Sequence, residues 1–142
     1  ASAGGSAAAL ARLLATSMSM WNDVGFYKRA QIVANDLQAA GVASFSDLDT
    51  LTIFADNLVP HVLRCDGVLV YDDELAAVID AEKVLEDTAA EREIRASAVH
   101  ACTILATRLG VPERVLDTWL WNRGQAPEYK ARPRHRARNV FY

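Results

Sequence analysis

Asp56 is the only charge between an apolar run, Leu51-Thr52-Ile53-Phe54-Ala55, and a Pro-containing one, Asn57-Leu58-Val59-Pro60-His61-Val62-Leu63. A segment of this character is drawn toward a core, where an unpaired carboxylate costs several kcal/mol. Asp56 therefore needs a partner or a job. A simple job is on hand, capping the helix that contains Pro60. A partner lies upstream, where Phe26-Tyr27-Lys28-Arg29-Ala30-Gln31-Ile32 opens an amphipathic helix with two adjacent cations. Neighbouring helical positions point roughly 100° apart, so only one of the two can face Asp56, and Lys28 is the one expected there. A cation at a helix start opposes the helix dipole, which favours a dedicated partner for it.

Other titratable residues carry weaker signals. His61 follows Asp56 by five positions, and His100 falls among Ala and Cys in a helical stretch, where a core or half-exposed setting is expected. Arg95 stands at i, i+4 from Glu91, the spacing of an ordinary surface pair. Asp117 lies between Leu116 and Trp119 and faces the same question. Most of the aromatic residues Phe26, Tyr27, Phe54, Trp119 and Trp121 are expected in the core, although any of them could stack on a flat base. Cys65 and Cys102 are too few for a disulfide framework and lack zinc-site spacing, so free thiols in a reducing compartment are expected. No convergent ligand set proposes a metal.

The elements that position these residues read as helices. Leu10, Leu13, Leu14, Ser17 and Met18 make one stripe at helical spacing. A second helix is predicted over 26–40, with Ala30, Val33, Ala34 and Leu37 inward and Gly41 closing it. A short helix through Leu51 follows Ser44-Phe45-Ser46-Asp47, and a further one starts near Pro60 after a break at Asn57. Val68 to Tyr71 is expected to be extended, and Asp72 to cap the next helix. Thr88-Ala89-Ala90-Glu91 is a capping-box pattern opening a long helix to Leu109. A final helix covers Val115 to Trp121 and ends near Gly124. Nothing alternates as a sheet.

The chain has 142 residues, half of them apolar, with a net charge of −3, which suits one soluble domain and gives no reason to expect duplex nucleic acid as a partner. No stretch reaches the roughly 18 apolar residues of a membrane span. Charge is unevenly spread: beyond Glu128 no acid occurs, while Lys130, Arg132, Arg134, Arg136 and Arg138 recur at every second position. This strip is either solvated or meets phosphate, and its end, Val140-Phe141-Tyr142, is an apolar anchor expected to hold it on the body. The fold class is therefore all-α, a single multi-helix domain over 1–142. Residues 1–8 are expected to be flexible, and 125–142 to form a basic tail packed on the body.

Taken in order, the Lys28 and Asp56 segments, Glu91-Arg92-Glu93-Ile94-Arg95-Ala96, Leu116-Asp117-Thr118-Trp119-Leu120-Trp121 and the closing His135 to Tyr142 resemble the queuosine salvage proteins, which are queuosine 5′-phosphate N-glycosylases. The resemblance implies a helical architecture like that of DNA glycosylases and hydrolysis of an N-glycosidic bond without a cofactor, in the cytoplasm. Asp56 would be catalytic, stabilising or attacking the oxocarbenium-like sugar. Lys28, His61, Phe54, Tyr27, Arg95 and Asp117 would bind substrate, with Lys28 and Arg136 on its 5′-phosphate; Lys28 could instead pair with Asp56. The implied partner is the nucleotide queuosine 5′-monophosphate, with no direct nucleic acid and no membrane. Three departures stand out, of which the short region before Lys28 is the largest. The family commonly has Gln where this chain has His61, and Asn122 replaces the Asp that usually follows the Leu-Trp pair. A fragment or subunit completed by a second chain, or a non-catalytic helical module binding a nucleotide or protein, are the alternatives.

Overall fold

The computed structural model describes residues 3–85 and 88–142, without the side chain of Thr88. The capping box expected at Thr88 thus lies outside the described residues. The helices are α1 (Ala7–Ser17), α2 (Lys28–Ala39), α3 (Leu58–Cys65), α4 (Asp73–Asp80), α5 (Thr88–Leu109), α6 (Glu113–Arg123) and α7 (Pro127–Lys130). Two-residue strands, β1 (Val84–Leu85) and β2 (Arg136–Ala137), pair in parallel. The all-α class holds, and the strands are too short to leave an alternating pattern in sequence. The 44–51 stretch forms only a 3-10 turn, Leu48–Thr50. Val68 to Tyr71 is bent or irregular and joins no strand.

Helix α1 starts early because its free N–H groups are met. Ser6 Oγ accepts from Ala9, while the Asp47 carboxylate accepts from Ala7 at 2.6 Å and from the Ser6 hydroxyl at 2.6 Å. Those bonds hold the Asp47 carboxyl below its ordinary range. Residues 6–8 thus belong to a capped helix, where a flexible start through residue 8 was expected. Its buried face is also different from the leucine stripe: Ala7, Ala11 and Ala15 are buried, and Ser17 and Met18 are exposed. Alanines win because α1 lies against α2, where Ala30 and Ala34 are fully buried, and small side chains permit a close approach. Ala7, Ala34, Leu48, Leu51 and Phe54 join in one apolar cluster.

The larger core joins α3, α5 and α6 through Val59, Val62, Ala98, Cys102, Leu116 and Leu120. Gly124 caps α6 where it packs against α3. A β-carbon there would lie 2.8 Å from Leu58 Cδ1 and 2.9 Å from Val62 Cγ2. The side of α6 that carries Trp119 and Trp121 remains outside, with the two indoles 51% and 48% exposed, which corrects their expected place in the core.

The C-terminal segment returns across the body. After α7 it pairs through β2, buries His135, and ends with Tyr142 Oη donating to Glu91 Oε1 at 2.7 Å. Tyr142 is the anchor; Val140, expected to share that role, is 58% exposed.

Packing at Gly124 can be tested directly. Gly124→Ala should lower the unfolding free energy by about 1–3 kcal/mol, the usual cost of overpacking, as read from urea denaturation. Unchanged stability would mean that α3 and α6 separate at no cost.

Candidate active site

Residues 51–55 carry no regular structure and have no strand beside them, and the chain bends at Asp56 and Asn57. Their backbone groups must still be matched, since unpaired buried amides are costly. Side chains from three helices supply what a sheet would. The N–H of Thr52 donates to Gln31 Oε1 at 3.0 Å, that of Ile53 to Glu113 Oε2 at 3.2 Å, and that of Phe54 to Asp117 Oδ1 at 2.8 Å. The Ala55 carbonyl accepts from Arg95 Nε at 2.9 Å. The segment is thereby fixed up to the residue before Asp56.

Asp56 then uses its two oxygens differently. Oδ1 accepts from the N–H groups of Leu58 at 2.7 Å and Val59 at 3.3 Å, capping α3. Oδ2 lies 3.6 Å from Lys28 Nζ, with both side chains largely shielded, 13% and 17% exposed. The capping job and the ion pair coexist, because one carboxylate edge serves each.

Lys28 is the first residue of α2, and Tyr27 before it adopts the left-handed region at φ 49°. Asp23 organises this start. Its carbonyl accepts from Tyr27 at 2.7 Å and Phe26 at 3.0 Å, and its Oδ2 accepts from the Lys28 N–H at 3.4 Å. The same Asp23 carboxylate forms a bidentate pair with Arg95, whose Nη1 also donates to Glu91 Oε1 at 3.2 Å. The Phe26 ring lies 4.0 Å below the guanidinium carbon, and the Tyr142 ring 5.0 Å from it. Arg95 is only 1% exposed. Its guanidinium is engaged by Asp23, Glu91 and Ala55, which makes it a buried strut and corrects the surface-pair expectation.

Two further groups share the field of Asp56. Burial first, and the Asp56 charge after it, push the Asp117 carboxyl up to about 6, although the Phe54 N–H pulls the other way. Burial lowers the His135 imidazole to about 4, partly offset by Asp56. His135 Nε2 lies 3.3 Å from the Tyr142 hydroxyl, and the His135 carbonyl accepts from Asn57 Nδ2 at 3.4 Å. Burial and Glu91 push the Tyr142 phenol up, so it remains a donor.

The other expected site residues are placed as follows. Tyr27 is half-buried at the start of α2, beside Lys28. Phe54 contributes its backbone N–H, while its ring belongs to the core cluster under α1 and α2. His61 is buried, its Nε2 held by the Tyr129 carbonyl at 2.8 Å, and it lines a hollow with Lys130, Arg132 and Arg134. Burial, then the nearby Arg134 and Arg132, hold its pKa down. Arg136 is exposed and paired with Glu82 at 2.7 Å. Asp23, Glu91 and Tyr142 were not expected in this constellation, whereas His135 was expected near its rim. The one sequence signal for Asp23 is its place in the Asp23-Val24-Gly25 turn before Phe26. Among the described residues no group of three His, Cys, Asp or Glu is placed to hold a metal ion, and no helix is long and apolar enough to cross a membrane.

The chain belongs to the queuosine salvage protein family, which it matches across residues 1–142. It is 35% identical to the queuosine 5′-phosphate N-glycosylase/hydrolase of Sphaerobacter thermophilus over all of this chain and 50% of that protein. The protein of the same name from Dictyostelium discoideum is 36% identical over 84% of this chain and 40% of its own length. The Mus musculus protein is 31% identical over 84% and 41%. The chain thus spans half or less of the length of these relatives.

Asp117 and His135 give the site a pH signature. The Asp117 pKa lies above its ordinary 3.8, so its stabilising proton is held below pH ~4 and lost as pH rises through about 6. The His135 pKa lies below its ordinary 6.5, so stability is lost as pH falls from there through about 4. The two slopes oppose. Relative to wild type, Asp117→Asn should gain stability from pH ~4 to ~6 and His135→Asn should lose it, each by about 2–3 kcal/mol. Urea denaturation at stepped pH reads this directly, and parallel curves for the three proteins would contradict it.

Proposed function

We propose that this chain carries the catalytic carboxylate of an enzyme that hydrolyses the N-glycosidic bond of queuosine 5′-monophosphate, releasing queuine and ribose 5-phosphate. The observation that supports it most is the 3.6 Å approach of Lys28 Nζ to Asp56 Oδ2, with the second oxygen of Asp56 tied to α3. Breaking the C1–N bond leaves the sugar oxocarbenium-like and the base holding the electron pair. Queuine is a 7-deazaguanine, so the ring nitrogen by which a purine leaving group is often protonated is carbon here. Stabilisation from the sugar side must then carry more of the barrier, and the Asp56 Oδ2 edge is where it would come from. Water adds to C1, and the departing base takes up a proton. Lys28 supplies the counter-charge that lets the carboxylate sit in a shielded place, and Tyr27 next to it can line the nucleotide.

The relatives are about twice as long, which supports a further stretch of polypeptide, on the same or a second chain, closing the wall around the nucleotide. Free Cys65 and Cys102 suit a reducing, cytoplasmic setting.

The test is release of queuine from queuosine 5′-monophosphate by this chain, followed by chromatography. Asp56→Asn should slow it by on the order of 100-fold or more, the usual cost of removing one charge-stabilising group. Lys28→Met should slow it less. Binding of the nucleotide with no release, and with affinity unaltered in Asp56→Asn, would instead support a non-catalytic nucleotide-binding module.

A further inference from the structure

The C-terminal strip is not evenly solvated. Two hollows meet along it, of about 380 Å³ and 300 Å³, and both are lined by Lys130, Arg132 and Arg134. Arg136 joins them in the larger one, whose wall also holds Asn57, the residue after Asp56. Four cations within seven residues repel one another, and among the described residues no carboxylate is ion-paired with Lys130, Arg132 or Arg134. The one acid on these walls, Glu82, is engaged by Arg136 at 2.7 Å. Arg132 reaches the Cys65 carbonyl, at 3.5 Å.

The backbone explains why the charges converge. Residues 133–135 carry no regular structure and lead into β2, with His135 buried while Arg134 and Arg136 stay exposed. His135 is pinned through its carbonyl to Asn57 and through its ring to Tyr142, so the outward positions on either side of it are held too. The positive field reaches inward: Arg134 and Arg132 act on the buried His61, and Arg134 also acts on His135. A dianion seated in the hollows relieves this repulsion and gains charge-assisted hydrogen bonds from guanidinium groups whose planar forks match phosphate oxygens. Lys28, by contrast, is committed to Asp56.

We propose that the hollows lined by Lys130, Arg132 and Arg134 form a binding site for the dianion of a phosphate monoester. Concave walls favour a small phosphorylated ligand over a long polyanion, and the border at Asn57 places the site one residue along the chain from Asp56. Only the source of the phosphate rests on the glycosidase reading. It can be the substrate's own 5′-phosphate or a free phosphate ion.

The experiment is titration calorimetry of the full chain with ribose 5-phosphate, inorganic phosphate and ribose, so its outcome does not depend on base release. Ribose 5-phosphate should bind and ribose should not. Arg132→Ala/Arg134→Ala should weaken ribose 5-phosphate roughly tenfold or more, and Arg132→Lys/Arg134→Lys should recover part of that loss. Arg12→Ala/Arg108→Ala, which removes equal charge from exposed positions elsewhere, should change little. Tighter binding of ribose 5-phosphate than of inorganic phosphate assigns the site to a sugar phosphate, and equal binding assigns it to the free ion. No binding of either phosphate, binding unmoved by the Arg132/Arg134 variant, or equal loss in the Arg12/Arg108 variant would each overturn the proposal.

Discussion

A guanidinium with 1% of its surface exposed has to be matched on every side, and the matching of Arg95 dictates how this domain is assembled. Left uncompensated, such a charge would cost several kcal/mol. Here Asp23 and Glu91 answer the charge, the Ala55 carbonyl takes the remaining donor, and two aromatic rings cover the faces. Those partners come from the turn before α2, from α5 itself, from the segment before α3 and from the end of the chain. One side chain therefore indexes four separate pieces of backbone against one another. Two of these pieces deliver Lys28 and Asp56, so the reach of Arg95 sets their separation.

The segment carrying Asp56 shows how the frame and the chemistry meet. It has the hydrogen-bonding needs of a central strand without a sheet, and Gln31, Glu113 and Asp117 meet them from helices. Such a segment resists sliding, because the amides of Thr52, Ile53 and Phe54 each have their own acceptor. Asp56 inherits that rigidity: one oxygen is locked into the first turn of α3, which aims the other at Lys28. A site that is already in its working geometry loses less on binding and reacts with less rearrangement. Asp117 is where support and electrostatics coincide, since it holds the Phe54 amide while sitting in the field of Asp56.

Much of this was legible in the sequence, for identifiable reasons. The Lys28–Asp56 encounter followed from a lone carboxylate in an apolar run and a cation at the wrong end of a helix. Helices α2, α5 and α6 declared themselves by spacing and by closing glycines such as Gly41, whose φ is 69°. The Asp23–Arg95 pair was hidden because 72 positions separate its members, and Glu91 four residues away offered Arg95 a simpler partner. Helix α1 misled because leucine outranks alanine in any hydrophobic reading, whereas close helix contact selects the small side chain. Trp119 and Trp121 misled in the same way. His61, five positions after Asp56, is held on α3 by the Tyr129 carbonyl, a bond 68 positions away that spacing could not show. Pairing of only two residues left β1 and β2 without a signal.

The central claim is that Arg95 fixes the approach of Lys28 to Asp56, and a crystal structure of Arg95→Lys tests it most directly. A lysine keeps the charge but cannot engage both oxygens of Asp23, Glu91 and the Ala55 carbonyl at once. The account predicts that residues 55 and 56 shift away from α2 and that the Lys28–Asp56 separation grows beyond the ~4 Å of an ion pair. An unmoved Ala55 carbonyl, with Lys28 and Asp56 still paired, would contradict it.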